Sequence, residues 1–205
     1  MSLVHLEVLV EEPSMEVALG CLLPRFLGSA TFRIHVYNGK AALLRRLPER
    51  LRAYRTMLQP GWRILVLLDG DGDDCRTLKQ VLERYAAAAD LMTKTAAIGQ
   101  AWLVLNRIAI EELEAWYFGD WRAVLAAYPR VPSRIPLRAA FRHPDAIKGG
   151  TWEAFDRILR QAGYYPDGIN KLRAAEQIAP HMDPARNTSR SFQVLRDALL
   201  QAARA

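Results

Sequence analysis

A cluster of aspartates follows a short aliphatic run near the middle of the chain. Residues 64–68 are aliphatic, and the acids come directly after them: Asp69, Asp71, Asp73 and Asp74. A short apolar run that ends in Asp and Gly is typical of a strand buried on both faces. The carboxyl ends of such strands are where sites form in open α/β sheets. Since only Gly70 separates Asp69 from Asp71, the backbone can turn both carboxylates onto one centre. Close anions need a cation or a proton, and oxygen-only ligation favours Mg²⁺, Mn²⁺ or Ca²⁺.

Acidic residues also follow two other predicted strands. Glu11 and Glu12 come after the strand predicted at residues 3–10, and Glu111, Glu112 and Glu114 come after the strand predicted at residues 101–108. A helix predicted to start at residue 111 would place Glu111 and Glu114 on one face. Parallel strands would bring all three acidic groups to one edge of the sheet. Helix capping could explain any one of these groups, but it explains less easily why all three lie at the same edge.

Each acidic group also has a structural explanation. Pro13 is typical of the first turn of a helix, and early acids suit its positive end, so Glu11 and Glu12 also fit a helix start. Asp73 or Asp74 is well placed to cap the helix predicted at about residues 74–92. Asp69 and Asp71 are therefore the predicted chemical pair.

The elements that must position these residues alternate regularly. The strands predicted at residues 3–10, 32–36, 64–68 and 101–108 are each followed by a predicted helix. This order predicts an α/β fold with a mainly parallel, four-stranded sheet flanked by helices. Helices are also predicted at residues 151–162, 170–178 and 191–203. We predict an α/β domain at residues 1–128 and a basic helical extension packed on it at residues 129–205.

The net charge is distributed unevenly between the two predicted parts of the chain. Residues 1–129 hold 15 basic and 15 acidic residues, whereas residues 130–205 hold 13 and 7, which is the whole net charge of +6. The split suits a metal site acting on a polyanion, although a solvated basic surface explains it as well. Candidate phosphate-binding residues are Lys40, Lys171, Arg186, Arg190 and Ser191. A polar loop and a helix cap are the alternative for the last four.

Several classes of protein are excluded by spacing or composition. The aspartates do not match an EF-hand loop, because its sixth and twelfth positions would be Asp74 and Gln80. The sequence contains no signature of a zinc protease, a Cys or Ser triad or a P-loop, and a haloacid-dehalogenase or receiver pattern fits poorly. Two cysteines, no long apolar run and no signal-peptide pattern predict a cytoplasmic protein.

The ordered motifs resemble the TOPRIM arrangement. Val10-Glu11 matches its first motif and Asp69-Gly70-Asp71 its second, but Glu12 stands where the family has Gly, so Glu11 and Glu12 both remain candidates. More narrowly, the chain resembles the DUF4276 group of TOPRIM-like, OLD-type nuclease-related proteins. That resemblance covers nearly the whole chain and depends on five motifs: Val10–Ser14, Asn38–Lys40, Asp69–Asp74, Glu111–Trp116 and Ser189–Phe192.

The resemblance implies a Mg²⁺- or Mn²⁺-dependent nuclease acting on DNA or RNA, in a bacterial anti-phage defence system with an AAA- or ABC-type ATPase partner. On this hypothesis the metal ligands are Glu11, Glu12, Asp69, Asp71, Glu112 and Glu114. Lys40, Lys171, Arg190 and Ser191 would contact the substrate phosphate. A non-catalytic sensor or adaptor that binds an ATPase or a nucleotide is the alternative, and an enzyme acting on a small phosphate ester is a third. Whether the chain forms a homo-oligomer is left open.

Overall fold

A parallel sheet is the centre of the computed structural model, which describes residues 2–71 and 74–204. The strands are β1 His5–Val10, β2 Thr31–Val36, β3 Trp62–Asp69 and β4 Val104–Ala109. Within the described residues they form one four-stranded sheet in the order β2–β1–β3–β4. Every neighbouring pair is parallel. The predicted α/β fold with a mainly parallel sheet flanked by helices is confirmed.

Helices follow each strand and make up most of the C-terminal third. Those of the described residues are α1 Pro13–Leu22, α2 Pro24–Leu27, α3 Lys40–Met57, α4 Cys75–Ala88, α5 Leu113–Gly119, α6 Trp121–Ala127, α7 Thr151–Gln161, α8 Lys171–Ile178 and α9 Arg190–Arg204. Short 3₁₀ turns occur at Ile135–Leu137, Ala139–Phe141, Pro144–Ala146 and Ala179–His181. The predicted C-terminal helices are therefore present, and a 3₁₀-rich segment leads into them.

Two helix predictions need correction. The helix predicted to continue to residue 27 divides into α1 and α2 at Pro24, which has no backbone N–H to donate. The helix predicted from residue 111 begins at Leu113, because Glu111 has a φ of 63° and Glu112 is extended. Glu111 and Glu114 consequently do not share a helical face, and that prediction was wrong.

The sheet is covered on both faces. Leu6, Val8 and Val10 of β1 point into the larger core, with α1, α2 and the helices after β4. Leu9 points to the opposite face, where α3 and α4 pack over β3. This alternation is the period-two pattern of a strand, and burial on both faces explains why β3 is an unbroken aliphatic run.

The C-terminal helices pack directly on the α/β part. Helix α8 contacts α1, and α9 contacts α2 and β4. Phe155 of α7 and Phe192 of α9 belong to the same buried cluster as Val10. The hydrophobic core is therefore continuous across position 128, and a division into two domains at that point stays a prediction.

In the part of the chain that the structure describes, we find no helix long and apolar enough to cross a membrane. Cys21 and Cys75 are both free thiols.

Candidate active site

The carboxyl ends of β1 and β3 and the start of α5 bring three acidic side chains to one edge of the sheet. Glu11 follows β1, Asp69 ends β3, and Glu114 lies in the first turn of α5, after β4. Their residues are 4%, 3% and 1% exposed. Because β1 and β3 are adjacent and parallel, Glu11 reaches Asp69 directly: its Oε1 accepts the Asp69 backbone N–H at 2.6 Å. We call Glu11, Asp69 and Glu114 the buried carboxylate cluster.

Within the described residues, two oxygens of the buried carboxylate cluster have no hydrogen-bond partner. Asp69 Oδ1 and Glu114 Oε2 are both inaccessible to solvent, and neither has a donor among the described residues. A buried carboxylate oxygen without a donor is destabilising unless a proton or a cation compensates for it. The cluster therefore has unused ligand capacity.

The pKa values of all three carboxyl groups in the cluster are raised. Burial, followed by Glu11 and Glu114, raises the pKa of Asp69 well above its usual range. Burial also raises the pKa of Glu11 to about 7, although the Asp69 N–H bond opposes the rise. Burial raises the pKa of Glu114 to about 7 against the effect of Lys171. Near neutral pH the cluster therefore favours bound protons or a bound cation.

Lys171, the first residue of α8, provides positive charge beside the cluster. Its Nζ is 3.1 Å from Glu112 Oε1 and 3.7 Å from Glu12 Oε2, and it lies 5.0 Å from the centroid of the Trp152 ring. Burial lowers the pKa of Lys171, but Glu114, Glu112 and Glu12 outweigh it and hold the pKa above its usual value. A charged amine is thus fixed between the acids of the first and the fourth strand ends.

Asp71 lies in a different environment from Asp69. Its backbone adopts a left-handed φ of 48°, and its side chain is 46% exposed and 2.9 Å from Lys40 Nζ. Lys40 also donates to the Gly70 carbonyl at 3.1 Å. Asp71 raises the pKa of Glu11, so the two carboxylates remain electrostatically coupled. Asp69 is therefore the buried member of the predicted pair, and Asp71 is its solvent-facing, lysine-paired neighbour.

Glu112 is engaged through both of its oxygens. Oε2 accepts the Trp152 N–H at 3.0 Å and the Thr151 hydroxyl at 3.4 Å, which caps the start of α7, while Oε1 accepts from Lys171. Glu12 accepts from the Ser14 hydroxyl at 3.2 Å and faces Lys171. Of the predicted ligands Glu112 and Glu114, Glu114 is thus the one with an oxygen that has no partner among residues 2–71 and 74–204.

The predicted phosphate-binding segment near the C-terminus is built around Asp145. Its carboxylate accepts the hydroxyls of Ser189 and Ser191 and the backbone N–H groups of Arg190 and Ser191. An acidic side chain therefore already fills the anion position at the start of α9. Ser191 also accepts from Trp116 Nε1 at 3.1 Å, which ties α9 to α5. The guanidinium of Arg190 is left exposed, and its role in substrate binding stays a prediction.

Of the other two predicted aspartates, the structure describes Asp74 and not Asp73. Asp74 accepts the N–H groups of Arg76 and Thr77 at 3.1 and 3.3 Å, as the predicted N-cap of α4. Asp73 lies outside the described residues.

Sequence reasoning missed Tyr117, which follows Glu114 by one helical turn. Its hydroxyl is buried, has no partner among the described residues, and interacts electrostatically with Glu114 and Asp69. Burial raises the pKa of Tyr117 well above its usual range. The helical spacing from Glu114 was the only clue to this position, and aromatic residues at that spacing are ordinarily core.

A comparison with protein families decides what kind of chain this is. The model of the family described as "Domain of unknown function (DUF4276)" matches residues 10–200. The chain belongs to the DUF4276 family. No curated protein and no solved structure matches it. The resemblance to TOPRIM domains and OLD-type nucleases therefore stays a prediction.

The cluster offers the oxygen ligands that a divalent cation prefers, but its side chains are not arranged to bind one. Hard cations take carboxylate oxygens, and Asp69 and Glu114 each offer a buried one that no described residue pairs with. Within residues 2–71 and 74–204, however, no three Asp, Glu, His or Cys side chains stand in a group that could hold a metal ion. Ligation would therefore require at least one carboxylate to leave its present rotamer.

Proposed function

We propose that this DUF4276 protein is a divalent-metal-dependent nuclease that hydrolyses phosphodiester bonds in DNA or RNA. The observation that supports it best is the buried carboxylate cluster at the carboxyl edge of a parallel sheet, where two oxygens have no partner in the part of the chain that the structure describes. Such an arrangement is destabilising for the fold, so a functional reason for it is favoured over a structural one.

In this proposal Asp69 and Glu114 hold a Mg²⁺ or Mn²⁺ ion, with Glu11 or Glu12 beside them. Asp71 and Glu112 are the further predicted ligands, although each now has a lysine partner. A bound divalent ion supplies charge stabilisation of the phosphate and lowers the pKa of a coordinated water.

The two lysines beside the cluster are suited to receive the substrate. Lys40 Nζ and Lys171 Nζ are held by different acids, Lys40 by Asp71 and Lys171 by Glu112. Point charges held in place can balance the negative charge that a phosphodiester develops during cleavage. The surplus of basic residues after residue 129 suits binding of a polyanion over a wider surface.

The experiment is a cleavage assay of the purified full chain with Mn²⁺ or Mg²⁺ on single- and double-stranded DNA and RNA. Asp69→Asn should reduce cleavage by roughly a hundredfold or more, since it removes a charged ligand while nearly preserving shape. Asp90→Asn is the matched control, because Asp90 is exposed and pairs only with Arg55 among the described residues. If Asp69→Asn cleaves as fast as the parent, Asp69 is not a ligand of a catalytic metal and the proposed site is wrong.

A non-catalytic sensor or adaptor is the second candidate, favoured by the lysine pairing of Asp71 and Glu112 and by the lack of a formed ligand group in the described chain. It predicts that the partner or nucleotide binds without metal and that no substrate is cut, and Mn²⁺ titration by calorimetry shows whether the acids form a metal-binding site. Activity on a small phosphate ester is separated from both by including such esters in the assay.

A role in anti-phage defence and an AAA- or ABC-type ATPase partner form part of the proposal on the strength of the resemblance alone. Co-purification with an ATPase encoded beside this chain, followed by the cleavage assay on the complex, tests them together.

A further inference from the structure

The outer edge of the sheet at β4 is covered along only part of its length. Residues 92–94 lie beside the beginning of β4, where Met92 accepts the Val104 N–H at 3.1 Å and Lys94 N–H donates to the Val104 carbonyl at 2.8 Å. The Asn106 carbonyl is covered by the Lys79 ammonium. These contacts protect the first half of the edge.

The second half of the edge is open. The Ala109 carbonyl accepts the Gly70 N–H at 2.8 Å, in line with the β3 ladder. Because successive residues of a strand direct their backbone groups to opposite sides, Ile108 directs its N–H and carbonyl away from β3. Across residues 2–71 and 74–204, nothing bonds to these outward groups. An edge of this kind is a template for another strand.

A cavity lies on each side of this open edge. The cavity towards α9 has a volume of about 430 Å³, and its lining includes Ile108, Ile110, Arg190 and Val194. The cavity towards α4 has a volume of about 250 Å³, and its lining includes Ile108, Ile110, Arg76 and Lys79. Both cavities are aliphatic beside the backbone and carry cations at their rims.

The charge at these rims is positive. Arg76 and Arg190 are exposed, and Arg107 contributes to both cavities. Asp145 also lines the cavity towards α9, but its oxygens already accept the N–H and hydroxyl groups at the start of α9. The rims thus suit an occupant with acidic side chains.

We propose that the open edge of β4 binds an extended, acidic peptide segment of a partner protein as a fifth parallel or antiparallel strand. Side chains of an added strand alternate between faces, so two adjacent apolar residues would fill the two cavities. Acidic residues on either side of them would meet Arg76 and Arg190. The aliphatic lining at Ile108, Ile110 and Val194 favours a peptide over a nucleic acid backbone. The peptide-binding test does not require nuclease activity, although Arg190 is also a predicted substrate-binding residue.

The test begins with peptides selected from a random displayed library on the full chain. The enriched sequences should combine adjacent apolar or β-branched residues with flanking Asp or Glu. A synthetic peptide of the enriched sequence should slow hydrogen exchange at the Ile108 amide, which we expect to exchange rapidly in the free protein. The amides of Arg107 and Ala109, which face β3, should be protected with or without the peptide.

Two variants test the edge and the rims separately. Ile108→Pro removes an outward N–H and leaves the β3 ladder intact, so peptide affinity should fall about tenfold. Arg76→Glu combined with Arg190→Glu should weaken binding by a similar factor. Both substitutions place acids in first helical turns, where the helix dipole favours negative charge. Arg122→Glu, at an exposed position of α6, is the matched control and should bind as the parent does.

Several outcomes would overturn the proposal. They are a library that yields no enriched sequence, enrichment of basic peptides, or binding that is insensitive to the paired charge reversal. Protection of the Ile108 amide by a single-stranded oligonucleotide instead of the peptide would assign the edge to nucleic acid and would equally refute a peptide site.

Discussion

Replacing Glu114 by Gln should stabilise the metal-free protein at alkaline pH, although it removes a proposed ligand. Glu114 is buried, and burial raises its pKa from 4.5 to about 7. One pKa unit corresponds to about 1.4 kcal/mol, so the ionised carboxylate is disfavoured in the folded state by about 3 kcal/mol. Glutamine has nearly the same shape and cannot ionise.

The sign of the pH dependence follows from proton binding. Between pH 4.5 and about 7 the folded chain retains a proton on Glu114 that the unfolded chain has released, so the parent loses stability as pH rises through this window. Above it the penalty is constant. The gain from Glu114→Gln should therefore be about 3 kcal/mol at pH 8 and below about 1 kcal/mol at pH 5.

The assay is urea unfolding with EDTA present, at both pH values. Glu176→Gln is the matched control, since Glu176 is exposed on α8 and should change stability little at either pH. A gain of equal size at pH 5 and pH 8, or destabilisation at pH 8, would refute the reasoning. Adding Mn²⁺ should then stabilise the parent more than Glu114→Gln, because a cation removes the same penalty.

Three further predictions concern polar contacts away from the cluster. Tyr54→Phe removes the hydroxyl that donates to Glu7 at 2.7 Å, and should lower the free energy of unfolding by about 1–2 kcal/mol in urea. Because burial is outweighed by hydrogen bonds that lower the pKa of Glu7, the loss should shrink as pH falls through that pKa. Asp145→Ala should cost about 2 kcal/mol and increase amide exchange in the first turn of α9, since it removes the cap. Asp120→Ala should cost about 3 kcal/mol in the same assay, because Asp120 is buried against Arg186.

Each of these three has a clear contrary result. A Tyr54→Phe loss that grows at acid pH would contradict the hydrogen-bonding account of Glu7. Unchanged exchange at the start of α9 would contradict the cap, and an Asp120→Ala variant as stable as the parent would show that its ion pair with Arg186 contributes nothing.

The sheet was predictable from the sequence because β3 is buried on both faces and its aliphatic run ends in Asp-Gly. That single pattern fixed Asp69 at a strand end, and the strand–helix alternation placed Glu11 at the same edge. The separation of Asp69 from Asp71 could not be predicted, since it depends on a left-handed φ at Asp71 and on Lys40. Both carboxylates look alike in the sequence.

The fourth strand end shows a different limit. The sequence does not distinguish Glu111, Glu112 and Glu114 as candidate ligands, because it does not show that the helix starts only at Leu113. Which acid is left without a partner among the described residues depends on α7 and α8, because Trp152 and Lys171 donate hydrogen bonds to the Glu112 carboxylate. Contacts between segments so distant in the chain leave no local pattern to read.

The position of Lys171 also has a consequence for biogenesis. It contacts Glu12 near one end of the chain and Glu112 in the middle, and Leu3 N–H donates to the Ala202 carbonyl at 3.3 Å. Contacts of such long sequence separation form only after the intervening chain is available. A chain whose synthesis has not yet passed α8 therefore contains the four strand segments, the acids and Lys40, but not Lys171. The candidate site is complete only when α8 has emerged and docked, so an unfinished chain lacks it.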